Sequence, residues 1–201
     1  MKKKNTTWLL SAVGIAATTL LMNACGSPST ANGEETSATA QSSATATPET
    51  SMNADEKDKH FMEEATSLCL EQIDLGNLAI QKSNMAEVKE LGALMVKDHG
   101  KMLSELKDLS VKKSIVLPTA ISETNKREYN TLSEKYGQDF DKLYCDKMVR
   151  KHKEAVTSFE KAAEHGVDID IKAWANTNLP MMRNHVDQSI SCQKKCEKSV
   201  L

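Results

Sequence analysis

The chain contains few aromatic residues and few prolines. Aromatic residues make up 4% of its 201 residues, and proline occurs four times. Any long apolar face must therefore be built from Leu, Ile, Val, Ala and Met, a composition that suits helices.

An apolar run near the N-terminus is too short for a comfortable membrane span. Three lysines at positions 2–4 precede this run, which extends from Trp8 to Met22 and is rich in threonine. It ends at Ala24 and Cys25, a small residue directly before a cysteine, as at a lipoprotein cleavage site. We interpret residues 1–24 as a signal peptide and Cys25 as the lipidated first residue of the mature chain. The alternative is an ordinary signal peptide beside an incidental cysteine.

A surplus of basic charge is also absent. The formal net charge is −2, and loss of the three lysines in the signal peptide leaves 23 basic residues (26 minus three) against 28 acidic ones, or −5. Such a chain is not expected to bind nucleic acid or anionic lipid through its charge. The predicted membrane contact is instead the lipid anchor.

The segment after the anchor, residues 25–54, consists largely of Ser, Thr and Ala. It has too few large apolar side chains to offset the entropy lost on ordering, so we predict a disordered linker. The bundle domain is predicted to cover residues 55–196, with residues 197–201 as a tail.

Four segments repeat apolar residues at alternating steps of three and four, the pattern of helices in a bundle. The first two meet at residues 83–84, where Asn84-x-x-Glu87 predicts an N-terminal cap. The last two meet at Gly166, a helix stop, and Asp168, the next cap. Pro180 predicts a kink or a break in the last helix.

The connection between the two predicted hairpins, residues 113–138, is long and contains a short helix capped by Ser122. This length favours a crossover over a simple up-down-up-down order. The sequence therefore predicts an all-α fold, a ferritin-like four-helix bundle of two long helical hairpins joined by a crossover with a short helix.

Three of the long helices carry a methionine four residues before a histidine. At a rise of 1.5 Å per residue, all three histidines lie about half a helix from their hairpin turns and so share one level. Neutral imidazole binds transition metals, and Met thioether favours copper(I). The pattern predicts a copper or zinc site formed by His99, His152 and His185, with Gln72 or Met95, Met148 and Met181 nearby.

Other interpretations of the same three histidines remain open. A di-iron centre needs Glu three residues before His, and these positions hold Val96, Val149 and Met182, which argues against it. The histidines would alternatively pack in the core and bind neighbouring protein groups. The sequence shows no nucleophile–base pair, phosphate loop or paired carboxylates that would indicate an enzyme.

Four cysteines remain besides the anchor. The helical rise places Cys145 and Cys192 at similar heights on antiparallel neighbours, and Cys196 one turn beyond Cys192. A disulfide from Cys145 to Cys192 or Cys196 is favoured over a thiolate metal site, which this spacing also permits. Cys69 lies too far along the axis to join them.

Several short motifs together resemble a known bacterial family, the domain of unknown function 4142. These are Ile73–Ala79, Met95–His99, Phe140-Asp141-x-x-Tyr144, His152, and Leu179-Pro180 followed by His185. The resemblance covers about Asp55 to Ile190. It implies a ferritin-like bundle in exported, often outer-membrane proteins without an established biochemical role. Gln72 stands where members often carry Glu, so one possible carboxylate ligand is missing.

Two functions follow as hypotheses for a protein anchored in the envelope, in the outer membrane and facing the periplasm. The first is a domain that holds a transition metal between mid-bundle histidines. The second is a structural or stress-related protein that acts through its surface on an unknown envelope partner.

The lipid anchor gives a testable prediction. Cys25→Ala removes the thiol that would carry the lipid, so the protein should move to the soluble fraction or stay unprocessed. Membrane fractionation and intact mass measure this outcome. Unchanged fractionation and mass would contradict it.

Overall fold

A computed structural model describes residues 54–198, which form five helices and no strand. The helices are α1 Ala54–Lys82, α2 Ala86–Lys113, α3 Glu123–Ser133, α4 Gly137–His165 and α5 Ile169–Lys198. Within this range no helix combines the length and apolar character needed to cross a membrane. The predictions for the signal peptide, Cys25 and the linker up to residue 53 lie outside the described residues, as does the end of the tail.

The four long helices form two antiparallel hairpins, α1 with α2 and α4 with α5; α1 also packs on α4, and α2 on α5. At one end of the bundle Lys113 of α2 binds Asp168, 2.5 Å away, at the start of α5. At the other end Lys195 of α5 lies 3.4 Å from Glu87 of α2. The connection from α2 to α4 must therefore cross the length of the bundle, and the predicted ferritin-like architecture is confirmed.

The helix of the crossover, α3, is tied to the bundle by a network of charges. Glu128 of α3 contacts Lys147 and lies 3.5 Å from Lys151, both on α4. Glu71 of α1 is buried and lies 3.0 Å from Lys151. Burial acts to raise the pKa of Glu128, but the hydrogen bond from Lys147 and the nearby cations lower it to about 2. The network keeps buried ionic groups paired, which an apolar interior requires.

The helix ends agree only in part with the sequence prediction. Asp168 caps α5 as predicted, accepting bonds from the backbone N–H groups of Asp170 and Ile171 at 2.9 and 3.2 Å. The predicted Asn84 cap is wrong, because α2 begins after Met85, whose N–H donates to the Ser83 hydroxyl at 3.0 Å. No side chain caps the N-terminus of α2.

Pro180 does not break the last helix. The helix α5 runs continuously from Ile169 to Lys198 with Pro180 inside it. The packing of α5 on α4 and α2 outweighs the loss of one backbone hydrogen bond at the proline.

Two glycines bring α1 and α2 into close contact. A methyl group added at Gly92 would lie 2.7 Å from the carbonyl oxygen of Gly76, and one at Gly76 would lie 2.6 Å from that of Gly92. Real side chains do not approach a backbone oxygen so closely, so both positions require glycine for packing. By contrast, a methyl group at Gly100 of the same helix would meet no atom within 4 Å.

These glycines predict opposite effects of one substitution on stability. Gly92→Ala should force α1 and α2 apart and lower the free energy of unfolding by about 1–3 kcal/mol. Gly100→Ala, the matched control in α2, should raise it by about 0.5–1 kcal/mol because alanine restricts the unfolded chain. Thermal or denaturant unfolding measures both. A stability change of the same sign in the two variants would contradict the close contact.

Candidate metal centre

The three histidines of the repeated motif meet in the middle of the bundle. His99 comes from α2, His152 from α4 and His185 from α5, and all three are fully buried. Their ring centroids lie 5.1 to 5.4 Å apart. One nitrogen from each ring lies within 4.8 Å of the other two. The three rings therefore lie in one layer, as predicted from the helical rise, while their role as ligands stays a prediction.

Hydrogen bonds to two of the rings fix which nitrogen carries the proton. Nδ1 of His152 lies 2.9 Å from the carbonyl oxygen of Met148, which can only accept, so Nε2 of His152 keeps its lone pair. Nε2 of His185 lies 3.0 Å from the Asp98 carboxylate, so Nδ1 of His185 keeps its lone pair. Histidines that bind metals usually donate their other ring nitrogen to a carbonyl or carboxylate in this way.

The third ring completes the arrangement. Nε2 of His99 lies 3.2 Å from Nε2 of His152 and donates to its lone pair, which leaves Nδ1 of His99 unprotonated. Nδ1 of His99 and Nδ1 of His185 are buried and have no hydrogen-bond partner among residues 54–198. Two nitrogen lone pairs are therefore buried in the core without a hydrogen-bond donor, which is unfavourable. A cation bound to these nitrogens would remove that cost.

Burial keeps the rings neutral. Desolvation and, to a lesser extent, the neighbouring histidines lower the pKa of His152 to about 3 and that of His99 well below its usual value. For His185, burial lowers the pKa although the Asp98 carboxylate opposes the shift. At neutral pH all three are in the uncharged form that binds metal ions.

The methionines predicted around the site are only partly as expected. Met95 and Met148 are fully buried, each one turn before its histidine. On α5 the fully buried methionine is Met182, three residues before His185, whereas the predicted Met181 is only partly buried. Positions three and four residues away share a helix face, so sequence spacing did not distinguish them.

The ion pair between Glu71 and Lys151, the residues before Gln72 and His152, indicates that Gln72 of α1 lies at about the height of the histidines. The Gln72 side chain is fully buried, and neither its oxygen nor its nitrogen has a hydrogen-bond partner among the described residues. An unsatisfied buried amide is unfavourable, so Gln72 is available as a further polar contact for an ion or a water molecule.

Asp98 is the functional residue that the motif contained but to which sequence reasoning assigned no role. It follows Lys97 and precedes His99, so it faces sideways towards α5 rather than inwards. The adjacency of α2 and α5 lets its carboxylate reach His185. The sequence did show an acidic residue directly before a core-facing histidine. Which neighbouring helix this residue contacts depends on the topology of the fold.

Three cysteines form a second cluster nearer the other end of α5. The Cys145 sulfur lies 2.7 Å from that of Cys192 and 3.5 Å from that of Cys196, within reach of a disulfide, which stays a prediction. The hydrogen bond with Cys192, together with burial, raises the pKa of Cys145, and the same bond lowers that of Cys192. Cys69 belongs to a separate apolar cluster, where burial raises its pKa to about 12.

Comparisons with known proteins agree with this architecture. Residues 39–190 match the family described as "Domain of unknown function (DUF4142)", and no curated protein matches the chain. A DUF305 fragment from Deinococcus radiodurans has a similar structure, with TM-score 0.62 and 13% identity over 72% of this chain and 99% of the fragment.

Two further solved structures with this fold are CopM in its Cu(I)-bound and Cu(II)-bound forms. Their TM-scores are 0.59 and 0.58, with 17% identity over 69% of this chain and 96% of CopM. At these identities the likeness concerns the fold.

The neutral histidines predict a pH dependence of stability. Their pKa values are lower in the folded chain than the ordinary 6.5, so the unfolded chain binds more protons as the pH falls below 6.5. Their contribution is complete above pH 6.5 and is lost towards the folded values, by up to about 1.4 kcal/mol per pH unit for each histidine.

Melting of the metal-free protein between about pH 7 and pH 5, where ordinary carboxylates stay ionised, measures this effect. His152→Gln should flatten the dependence. His60→Gln, at an exposed position of α1, should keep the slope of the unmodified protein. Equal slopes in all three proteins would contradict the prediction.

Proposed function

The chain belongs to the DUF4142 family, and we propose that its bundle binds one copper ion through His99, His152 and His185. The observation that carries this proposal is the set of three fully buried imidazoles whose ligand nitrogens lie within 4.8 Å of one another. Burial of a polar side chain costs free energy. Three buried histidines in one layer are therefore better explained by a bound ion than by packing alone.

The donor set fits a small transition-metal ion. Metal–imidazole bonds of about 2.0–2.1 Å place three nitrogens of a trigonal site about 3.5 Å apart, and the ligand nitrogens of the three histidines lie within 4.8 Å of one another. The Asp98 carboxylate and the Met148 carbonyl hold the rings of His185 and His152. These partners orient ligands and make them more basic.

Copper is favoured over zinc by the softer groups near the histidines in sequence. Met95 and Met148 are buried in one apolar cluster, each one helical turn before its histidine, and thioether sulfur prefers copper(I). The two CopM structures, which share the fold, are described as copper-bound. The thioethers and the likeness to CopM both favour copper. Zinc is the competing ion, and the experiment must include it.

We place this activity at the cell envelope as part of the proposal. The lipoprotein-like junction at Cys25 and the Ser/Thr-rich linker suit a domain tethered to the outer membrane and facing the periplasm. A domain of this kind would capture copper before it reaches other envelope proteins.

Titration of the metal-free protein with Cu(II), and separately with Zn(II), tests the proposal. Electron paramagnetic resonance should show nitrogen ligands on the bound Cu(II). His152→Gln should abolish this signal, and Asp98→Asn should weaken affinity about 10–100-fold by releasing the His185 ring. His60→Gln and His165→Gln, both at exposed positions, are the matched controls.

Copper affinity equal in His152→Gln and His60→Gln would contradict the proposal. Tighter binding of zinc than copper would replace copper by zinc at the same three histidines. Loss of helical circular dichroism in His152→Gln would shift the test to Asp98→Asn, whose substitution conserves shape.

A further inference from the structure

The cysteine cluster is distinct from the histidine layer and carries its own chemistry. We propose that Cys145, Cys192 and Cys196 form a second metal site, which binds one copper(I) ion through three sulfur ligands. Cys145 lies seven positions before His152 on α4, and Cys192 lies seven positions after His185 on α5. At 1.5 Å per residue this spacing puts the two layers about 10 Å apart, too far for the groups to share one ion.

The positions of the sulfurs suit one soft ion. All three lie within 4.8 Å of one another, two from successive turns of α5 and one from α4. Metal–sulfur bonds of about 2.3 Å place the sulfurs of a trigonal site about 4 Å apart. A disulfide would use two sulfurs, whereas the fold gathers three. Thiolate ligands in a small apolar site select copper(I) over harder ions.

The electrostatic surroundings attract a cation. Asp141 lies one turn before Cys145 on α4, is 3% exposed, and has an oxygen, Oδ1, without a hydrogen-bond partner among the described residues. Asp141 interacts electrostatically with both Cys192 and Cys196, so its carboxylate would attract a cation placed among the sulfurs.

The binding step is a ligand exchange. Each sulfur that binds the ion gives its proton to solvent, and a copper–sulfur bond replaces the sulfur–hydrogen bond. The ion enters and stays as copper(I), so no electron is transferred and no oxidant or reductant takes part.

Two surface cavities lead to the sulfurs. One of about 300 Å³ is lined by Asp139, Asp141 and Cys196. A second of about 280 Å³ is lined by Glu87, Glu90 and Cys192, among others. Acidic side chains at the mouth of a cleft raise the local concentration of cations. The site is thus buried enough to exclude bulk water and open enough to be loaded.

The experiment uses the whole reduced protein without metal, kept free of oxygen and titrated with copper(I) against a colorimetric copper(I) chelator. The unmodified protein should withdraw two equivalents and develop an ultraviolet thiolate-to-copper charge-transfer band. The double variant Cys145→Ser/Cys192→Ser should lose one equivalent together with the band. Cys69→Ser, at a buried cysteine of the other apolar cluster, is the matched control and should keep both.

The two proposals fail separately in this design. His152→Gln should lose one equivalent of copper and keep the band. Uptake of two equivalents by this variant would contradict the histidine site alone. X-ray absorption of the copper-loaded unmodified protein reports sulfur or nitrogen neighbours directly, which decides the question even if the double variant does not fold. Absence of the band and of sulfur neighbours, or copper(I) uptake in the double variant equal to that of Cys69→Ser, would overturn the thiolate site.

Discussion

The fixed rise of the α-helix is the constraint on which the interior of this bundle depends. In an antiparallel hairpin, residues at equal distances from the turn lie at the same height. Each inward side chain therefore contacts the inward side chains that neighbouring helices place at that height. The histidines come from three helices and the cysteines from two, yet each set occupies one layer. A shift of either hairpin by one turn would displace a layer by about 5.4 Å and separate its members.

The glycine contact between α1 and α2 and the charge network under α3 hold that register. Gly76 and Gly92 allow the backbones to touch, which resists sliding because any other register would place a side chain there. Glu71 of α1 and Glu128 of α3 both pair with Lys147 and Lys151 of α4, so the three helices share one ionic cluster. Precise placement of buried ligands requires such support from residues that do not touch the ion.

Much of this arrangement could be predicted from the sequence. Apolar periodicity gave the four long helices, the long connection indicated the crossover, and residue counts placed His99, His152 and His185 at one height. Other features depend on which helices are neighbours, a property that periodicity does not contain. Asp98 acquires its role only because α2 lies beside α5, and Met182 rather than Met181 is buried because helix rotation selects between adjacent spacings. Continuity through Pro180 reflects tertiary packing, which outweighs local propensity.

The two layers differ in which half of the molecule supplies them. Cys145, Cys192 and Cys196 all belong to the α4–α5 hairpin, a unit whose parts lie close in sequence and can meet before the rest of the chain is ordered. His99 belongs to the first hairpin, and its ring meets those of His152 and His185 only after the crossover has brought the two hairpins together. The α4–α5 hairpin by itself therefore supplies all three sulfurs, whereas the imidazole layer needs residues from both hairpins. An ion between the imidazoles would cross-link the two hairpins. Its removal would weaken the contact between the hairpins before either hairpin unfolded.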